Sequence, residues 1–260
     1  GVLDWMEEWL QTEWPELKVY LTSVTEEWSV ATLSGPNAGK ILKAAGVDIS
    51  LDPADFPFMT MREAYIAGLP VRIFRISFTG ELSYEINIRA RHGLALWTHL
   101  MKAGAEFGIT SYGTEAMHVL RAEKGFIIVG QETDGSVTPQ DLGMDWIVSK
   151  VKPDYIGKRA LERASMAADN RKQLVGLRTK ERKQVIPEGA HAVLDPNQPM
   201  PMDMLGQVTS SYYSPNVGSS IAMAMLKGGR ALIGGTVYLP MLDSSVIEAF
   251  ACWRSSRKLA

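Results

Sequence analysis

The sequence predicts an α+β body followed by a small all-β module, and three observations carry that prediction. Helical and strand-like apolar patterns are mixed up to about residue 168. Beyond Asp169-Asn-Arg-Lys172 only short apolar runs remain, at 173–178, 191–194, 205–209, 221–226, 235–239 and 245–251, separated by Pro, Gly and Asn. Short strands at that spacing point to an antiparallel barrel or sandwich. Finally, 260 residues suffice for one substantial core or two smaller ones. We therefore expect one domain over residues 1–168 and a second over 169–260.

Taken in order, Leu3, Met6 and Leu10 recur at helical spacing, with Trp5 and Trp9 one turn apart, until Pro15 ends the run. This pattern opens at Gly1 with neither a Met nor a capping residue, so the chain reads as part of a longer protein whose other residues cover the Trp pair. Residues 18–24 and 28–33 read as two β-rich runs. Ser34 suits a helix cap, Pro36 its early turn and Gly46 its end. Residues 52–57 form a proline-bearing loop, and 64–67 with 71–77 a hairpin through Gly68-Leu-Pro70.

The next segment, Arg75-Ile-Ser-Phe-Thr-Gly-Glu-Leu-Ser-Tyr-Glu-Ile-Asn-Ile88, is the most informative. Past its Gly-centred turn, Tyr84, Ile86 and Ile88 fall on one strand face, and Glu85, Asn87 and Arg89 on the other. A carboxylate held on a rigid strand can accept paired N–H donors from a flat heterocycle such as a pterin. A solvated sheet face, with Glu85 beside Arg89, explains the same pattern. A helix through Leu94, Trp97, Leu100 and Met101 follows, stopping near Gly104 or Gly108. The next helix has Thr114 as its cap, Ala116, Val119 and Leu120 as its apolar side, and Gly125 as its stop. Met117 and Arg121 share the opposite stripe, so the pattern alone makes Arg121 a surface residue. Residues 146–151 then read as a strand and 157–166 as a helix.

Composition excludes several functions. A net charge of −2 offers nothing to nucleic acid or an anionic membrane, and no apolar run approaches the ~20 residues that span a bilayer. The one cysteine, Cys252, has no internal disulfide partner, which agrees with a cytoplasmic location. His92, His99, His118 and His191 lie in separate elements, so no metal site is expected, and His118 reads as a structural or surface residue. Gly228-Gly-Arg and Gly234-Gly-Thr read as turns, not nucleotide loops. Ser34-Gly-Pro and Ser210-Ser211 lack the context of a nucleophile, and no catalytic residue is assigned.

Several motifs recur together in one known family. The run Phe-Thr-Gly-Glu-Leu-Ser-Tyr-Glu over 78–85 resembles the Tyr-Thr-Gly-Glu-x-Gly-x-Glu signature of folate-binding aminomethyltransferases, the glycine cleavage T-protein family. Leu33-Ser-Gly-Pro-Asn-Ala38, the helix Gly113 to Gly125 with Arg121 in a Leu-Arg-x-Glu position, Gly130-Gln-Glu132, Thr138-Pro139, Leu142-Gly143 and Tyr155-Ile-Gly-Lys-Arg-Ala-Leu161 follow in the family's order. Gly206-Gln-Val-Thr-Ser210, Ser214-Pro215 and Ile221-Ala222 resemble its C-terminal barrel signature, so the likeness covers about residues 16 to 248. Arg121-Ala-Glu-Lys-Gly-Phe-Ile-Ile-Val-Gly130 is most similar to the branch that forms the C-terminal region of heterotetrameric sarcosine oxidase alpha subunits.

This resemblance implies a T-protein-like sheet-and-helix body with a mixed, ferredoxin-like character, followed by a β-barrel. It implies tetrahydrofolate as ligand, with Glu85 on the pterin, Phe78 lining the ring and Arg121 at the pocket. Phe78 stands where the family usually has Tyr, which keeps the stacking surface and loses a hydroxyl. It further implies a parent oxidoreductase whose FAD, FMN and NAD are bound outside this chain, with the other sarcosine oxidase subunits as partners. A segment preceding this chain supplies an acidic folate contact and one pocket wall, so the chain alone is expected to be inactive on sarcosine. The tail after Ala249 departs from the family pattern. The alternatives are a glycine-cleavage-type aminomethyltransferase and a non-catalytic module for subunit assembly.

Overall fold

A computed structural model describes residues 1–168 and 170–253. The expected boundary at Asp169 and the end of the divergent tail, 254–260, lie outside the described residues. The chain divides into two compact units, residues 1–77 with 81–111, and residues 78–80 with 112–260.

In the first unit, helix α1 (Val2–Thr12) forms as its apolar spacing requires but buries none of its residues. Strands β1 (Trp28–Ser34), β2 (Met61–Ile66), β3 (Leu69–Phe74) and β4 (Ser83–Arg89) make an antiparallel sheet in the order β1-β4-β3-β2. The β2–β3 turn is tighter than the motif suggested. Ala67 and Gly68, at φ 50 and 79, form the two-residue bend between paired Ile66 and Leu69, and Pro70 already lies in β3 opposite Tyr65. Left-handed angles at both positions match the twist of the strands they join. Helices α2 (Ala38–Ala44) and α3 (Gly93–Ala103) cover one sheet face. There Ile41, Leu42, Leu96 and Leu100 meet Val71, Ile73, Tyr84, Ile86 and Ile88, with Phe56 added from the proline loop. Each buried aliphatic side chain contributes roughly 1.5–3 kcal/mol. The expected split of β4 holds: Tyr84, Ile86 and Ile88 are buried, while Glu85 and Asn87 are partly exposed and Arg89 is exposed.

The second unit carries helices α4 (Thr114–Lys124) and α5 (Lys158–Leu161) and strands β5 (Lys172–Thr179), β6 (His191–Ala192), β7 (Gly206–Ser214), β8 (Ser219–Lys227), β9 (Thr236–Pro240) and β10 (Val246–Cys252). Their order is β6-β7-β8-β5-β10-β9, every pairing antiparallel. Val193 and Tyr238 exchange both backbone hydrogen bonds, at 2.8 and 3.0 Å, and so join the two ends into a barrel. The interior is filled by Val175, Leu177, Val208, Ala224, Leu226, Val237, Leu239, Ile247 and Ala249. Because α4 packs across β7 and β8, β8 is buried along nearly its whole length, which accounts for its unbroken apolar run.

Three expected elements differ. Residues 18–24 form no strand: Val19, Tyr20 and Val24 are exposed and no neighbouring strand offers a ladder. Residues 146–151 give a single 3-10 turn, Asp145–Ile147, with Trp146 and Val151 exposed. The helix expected over 157–166 is one turn long. Gly113 and Asn37, not Thr114 and Ser34, occupy the cap positions of α4 and α2. β10 runs on past Ala249 through Phe250, Ala251 and Cys252. Among the described residues, no helix is long and apolar enough to cross a membrane.

Candidate functional site

Glu85 lies on the sheet face opposite the core of the first unit. In register it faces Thr32 of β1 and Phe74 of β3. Its carboxylate is half-buried, and among the described residues no hydrogen bond or ion pair engages it. Burial pushes its pKa above the ordinary carboxylate range. A desolvated carboxylate without an internal partner has its full acceptor capacity available for a ligand. Tyr84, next along the strand, points into the core, and burial raises its pKa, Arg75 partly offsetting that.

Phe78 lies in the second unit, on the wall of a cavity of about 300 Å³. Phe126, Leu142, Met144, Trp146 and Trp253 give the lining its aromatic and apolar character, and Ile127 and Met223 also face it. Such a lining suits a flat, largely apolar ligand group.

Arg121 departs from the surface position its helix stripe suggested. Its side chain is 0% exposed and ion-paired to Glu132 at 3.0 Å. One terminal nitrogen donates to Glu132 and to the Phe126 carbonyl, both at 3.0 Å. The other donates to Ser210 Oγ at 2.7 Å and, at longer range, to Gln131 and Tyr212. Glu132 also accepts the Ile128 amide at 2.6 Å and the hydroxyls of Thr209 and Ser210. Thr209 and Ser210 both reach it because β7 carries a bulge between Val208 and Ser210. Glu123, two residues on from Arg121, accepts from Ser214 and Asn216. Thus the buried residues of α4 are Arg121, Ala122 and Glu123 near its C-terminal end, while Ala116 is exposed.

A second polar cluster shapes the loop bearing Leu142 and Met144. Asp141 accepts the Thr138 amide and hydroxyl at 2.8 and 2.9 Å, and a forked pair of bonds from Arg171 at 2.9 and 2.6 Å. Burial alone would raise the Asp141 pKa, but the bonds from Arg171 and Thr138 overcome it and hold the carboxyl below its ordinary value. Neither Glu132 nor Asp141 was singled out from the sequence. Arg171 lies 30 residues from Asp141 and Ser210 lies 78 from Glu132, and the available signals were the ordered Gly130-Gln-Glu132 and Gly206-Gln-Val-Thr-Ser210 motifs. Among the described residues no His, Cys, Asp and Glu cluster could hold a metal ion.

This combination of sheet-and-helix unit and closed barrel is that of a known family. Residues 1–152 match the GCVT N-terminal domain, and residues 172–252 match the glycine cleavage T-protein C-terminal barrel domain. The chain belongs to the glycine cleavage T-protein family, and sarcosine oxidase alpha subunits are among its homologues. It is 49% identical over 248 residues to the sarcosine oxidase subunit alpha of Corynebacterium sp. strain P-1, covering 93% of this chain and 25% of that protein. It is 30% identical over 222 residues to an aminomethyltransferase of Halothermothrix orenii, covering 85% of this chain and 59% of that one. The crystal structure of glycine cleavage system aminomethyltransferase T from Bartonella henselae shares the fold, with TM-score 0.72 and 24% identity over 89% of this chain and 62% of that one. The chain spans about a quarter of the length of the alpha subunits it matches.

Proposed function

We propose that this chain is the tetrahydrofolate-binding portion of a sarcosine oxidase alpha subunit. The observation that carries the reading is Glu85: a half-buried carboxylate with no partner among the described residues, in a family signature, on a rigid strand. In this reading Glu85 accepts paired N–H donors from the pterin, and the aromatic lining that includes Phe78 offers a surface on which a flat ring stacks. Arg121 enters as part of the pocket's construction. The domain line drawn at 168/169 belongs to the same proposal, the first part receiving the pterin.

The chemistry proposed for the complete enzyme divides between chains. Flavin and nicotinamide cofactors (FAD, FMN and NAD), held outside this chain, would support oxidation of sarcosine to an imine. Its one-carbon unit then passes to tetrahydrofolate, giving 5,10-methylenetetrahydrofolate and releasing glycine. This chain's residues bind and orient the acceptor, so positioning, not covalent attack, is their contribution. The other sarcosine oxidase subunits are the proposed partners. The similarity to sarcosine oxidase alpha subunits, at 39–49% identity, favours this reading over a free-standing aminomethyltransferase, to which the chain is 30–32% identical.

Titration with tetrahydrofolate tests the proposal. Saturable binding is expected, together with no sarcosine-dependent peroxide from this chain alone. An absence of binding by the chain assembled with the flavin-bearing subunits leaves the subunit-assembly module as the reading. Peroxide production by the chain alone would contradict the division of chemistry.

A further inference from the structure

We infer that Arg121 is a positioning residue: it builds the wall of the aromatic cavity by clamping Phe126 and does not itself meet the ligand. This deepens the folate reading, on which the identity of the cavity's occupant rests. The guanidinium is fully enclosed, and both terminal nitrogens are committed to protein acceptors. Only Nε lacks a partner, and it is buried as well. A ligand therefore finds no donor on this side chain.

What Arg121 holds is specific. Phe126 donates its backbone N–H to the Arg121 carbonyl at 3.0 Å, and its own carbonyl accepts from the Arg121 guanidinium at 3.0 Å. One residue thus grips both polar groups of the Phe126 backbone. Gly125, left-handed at φ 70, lets the chain turn off the end of α4 into that grip. Two residues later the Ile128 amide is held by Glu132, the partner of Arg121. Phe126 and Ile127, between these restraints, present their side chains to the cavity. The ion pair therefore sets where the aromatic wall stands, and it does so from behind.

Arg121→Lys keeps a cation opposite Glu132 and removes the forked reach to Phe126 and Ser210. Amide hydrogen exchange should rise by ~10-fold or more at Phe126 and Ile128 while the amides of the barrel interior stay unchanged. Tetrahydrofolate should bind ~10-fold more weakly, and Phe126→Ala should weaken it comparably. Arg121→Lys added to Phe126→Ala should cost little more, because both act on the same wall. Weaker binding with unchanged exchange at Phe126 and Ile128 would make Arg121 a ligand contact and overturn the inference. Uniformly faster exchange through the barrel would make it a general support of the fold and overturn it too. Should the unaltered protein not bind tetrahydrofolate at all, the folate reading fails, and the local exchange response still decides whether Arg121 positions the wall.

Discussion

Replacing Asp141 with Asn should loosen the barrel unit by about 2–4 kcal/mol. The carboxylate accepts two bonds from Thr138 and the forked pair from Arg171, and it is buried, with Arg171 only partly exposed. Asn supplies one acceptor oxygen, and its NH2 group is turned toward a guanidinium that can only donate. Breaking a fully buried pair costs roughly 3–5 kcal/mol, and the partial access of water to Arg171 lowers that range. Because the Asp141 backbone carbonyl also holds the Leu174 amide of β5 at 2.9 Å, the effect should reach the barrel. Hydrogen exchange of the β5 amides is the assay, since it reports this unit separately. At about 1.4 kcal/mol per decade, exchange should quicken by about 1.5–3 decades at neutral pH. The pH dependence follows from the depressed pKa. Stability from the ionised Asp141 is present above its unfolded value and is lost as pH falls through the lower folded value. The gap between wild type and Asp141→Asn should therefore close only in strong acid. A loss below about 0.5 kcal/mol, the ordinary range for surface substitutions, would refute the reasoning.

Two further outcomes follow from particular positions. Gly206 has φ +156, and a Cβ there would stand 1.9 Å from the Met225 carbonyl oxygen, so Gly206→Ala should displace the start of β7 and cost about 3 kcal/mol, read as a lower thermal midpoint. An unshifted midpoint would contradict the close approach. Glu85→Gln should be neutral to stabilising near pH 7, because burial raises the folded pKa of Glu85. The wild type then loses stability relative to Gln as pH rises from the unfolded to the folded pKa, and a paired denaturation series in which the opposite trend appears would show that Glu85 is held by a favourable partner.

The parts of the fold readable from sequence are those where local pattern and tertiary environment agree. β4 alternates because one of its faces meets α2 and α3, and the six barrel strands appear as short runs because turns separate them. The misread parts lack such agreement. Residues 18–24 are apolar enough for a strand but have no strand to pair with, and Trp146 and Val151 are apolar yet exposed. For α4 the hydrophobic stripe missed Arg121, which is buried by partners on β7 and in the segment after the helix, while Glu123, on the stripe's own side, is buried against Ser214 and Asn216. Side chains 89 and 91 residues away leave no periodic trace near a helix. Of the candidate residues, Glu85 could be picked out by strand alternation, whereas the burial of Arg121 became visible only with Glu132 and Phe126 in place.

The most direct test of the central claim is tetrahydrofolate affinity of the wild type and Glu85→Ala, measured side by side by calorimetric titration. Among the described residues Glu85 has no hydrogen bond or ion pair to lose, so the substitution should leave the fold intact and report on the ligand alone. Loss of charge-assisted hydrogen bonds to the pterin predicts weakening by about 1.5–3 kcal/mol, roughly 10- to 150-fold. An affinity within about twofold of wild type, well inside what a single lost hydrogen bond should produce, would contradict the account.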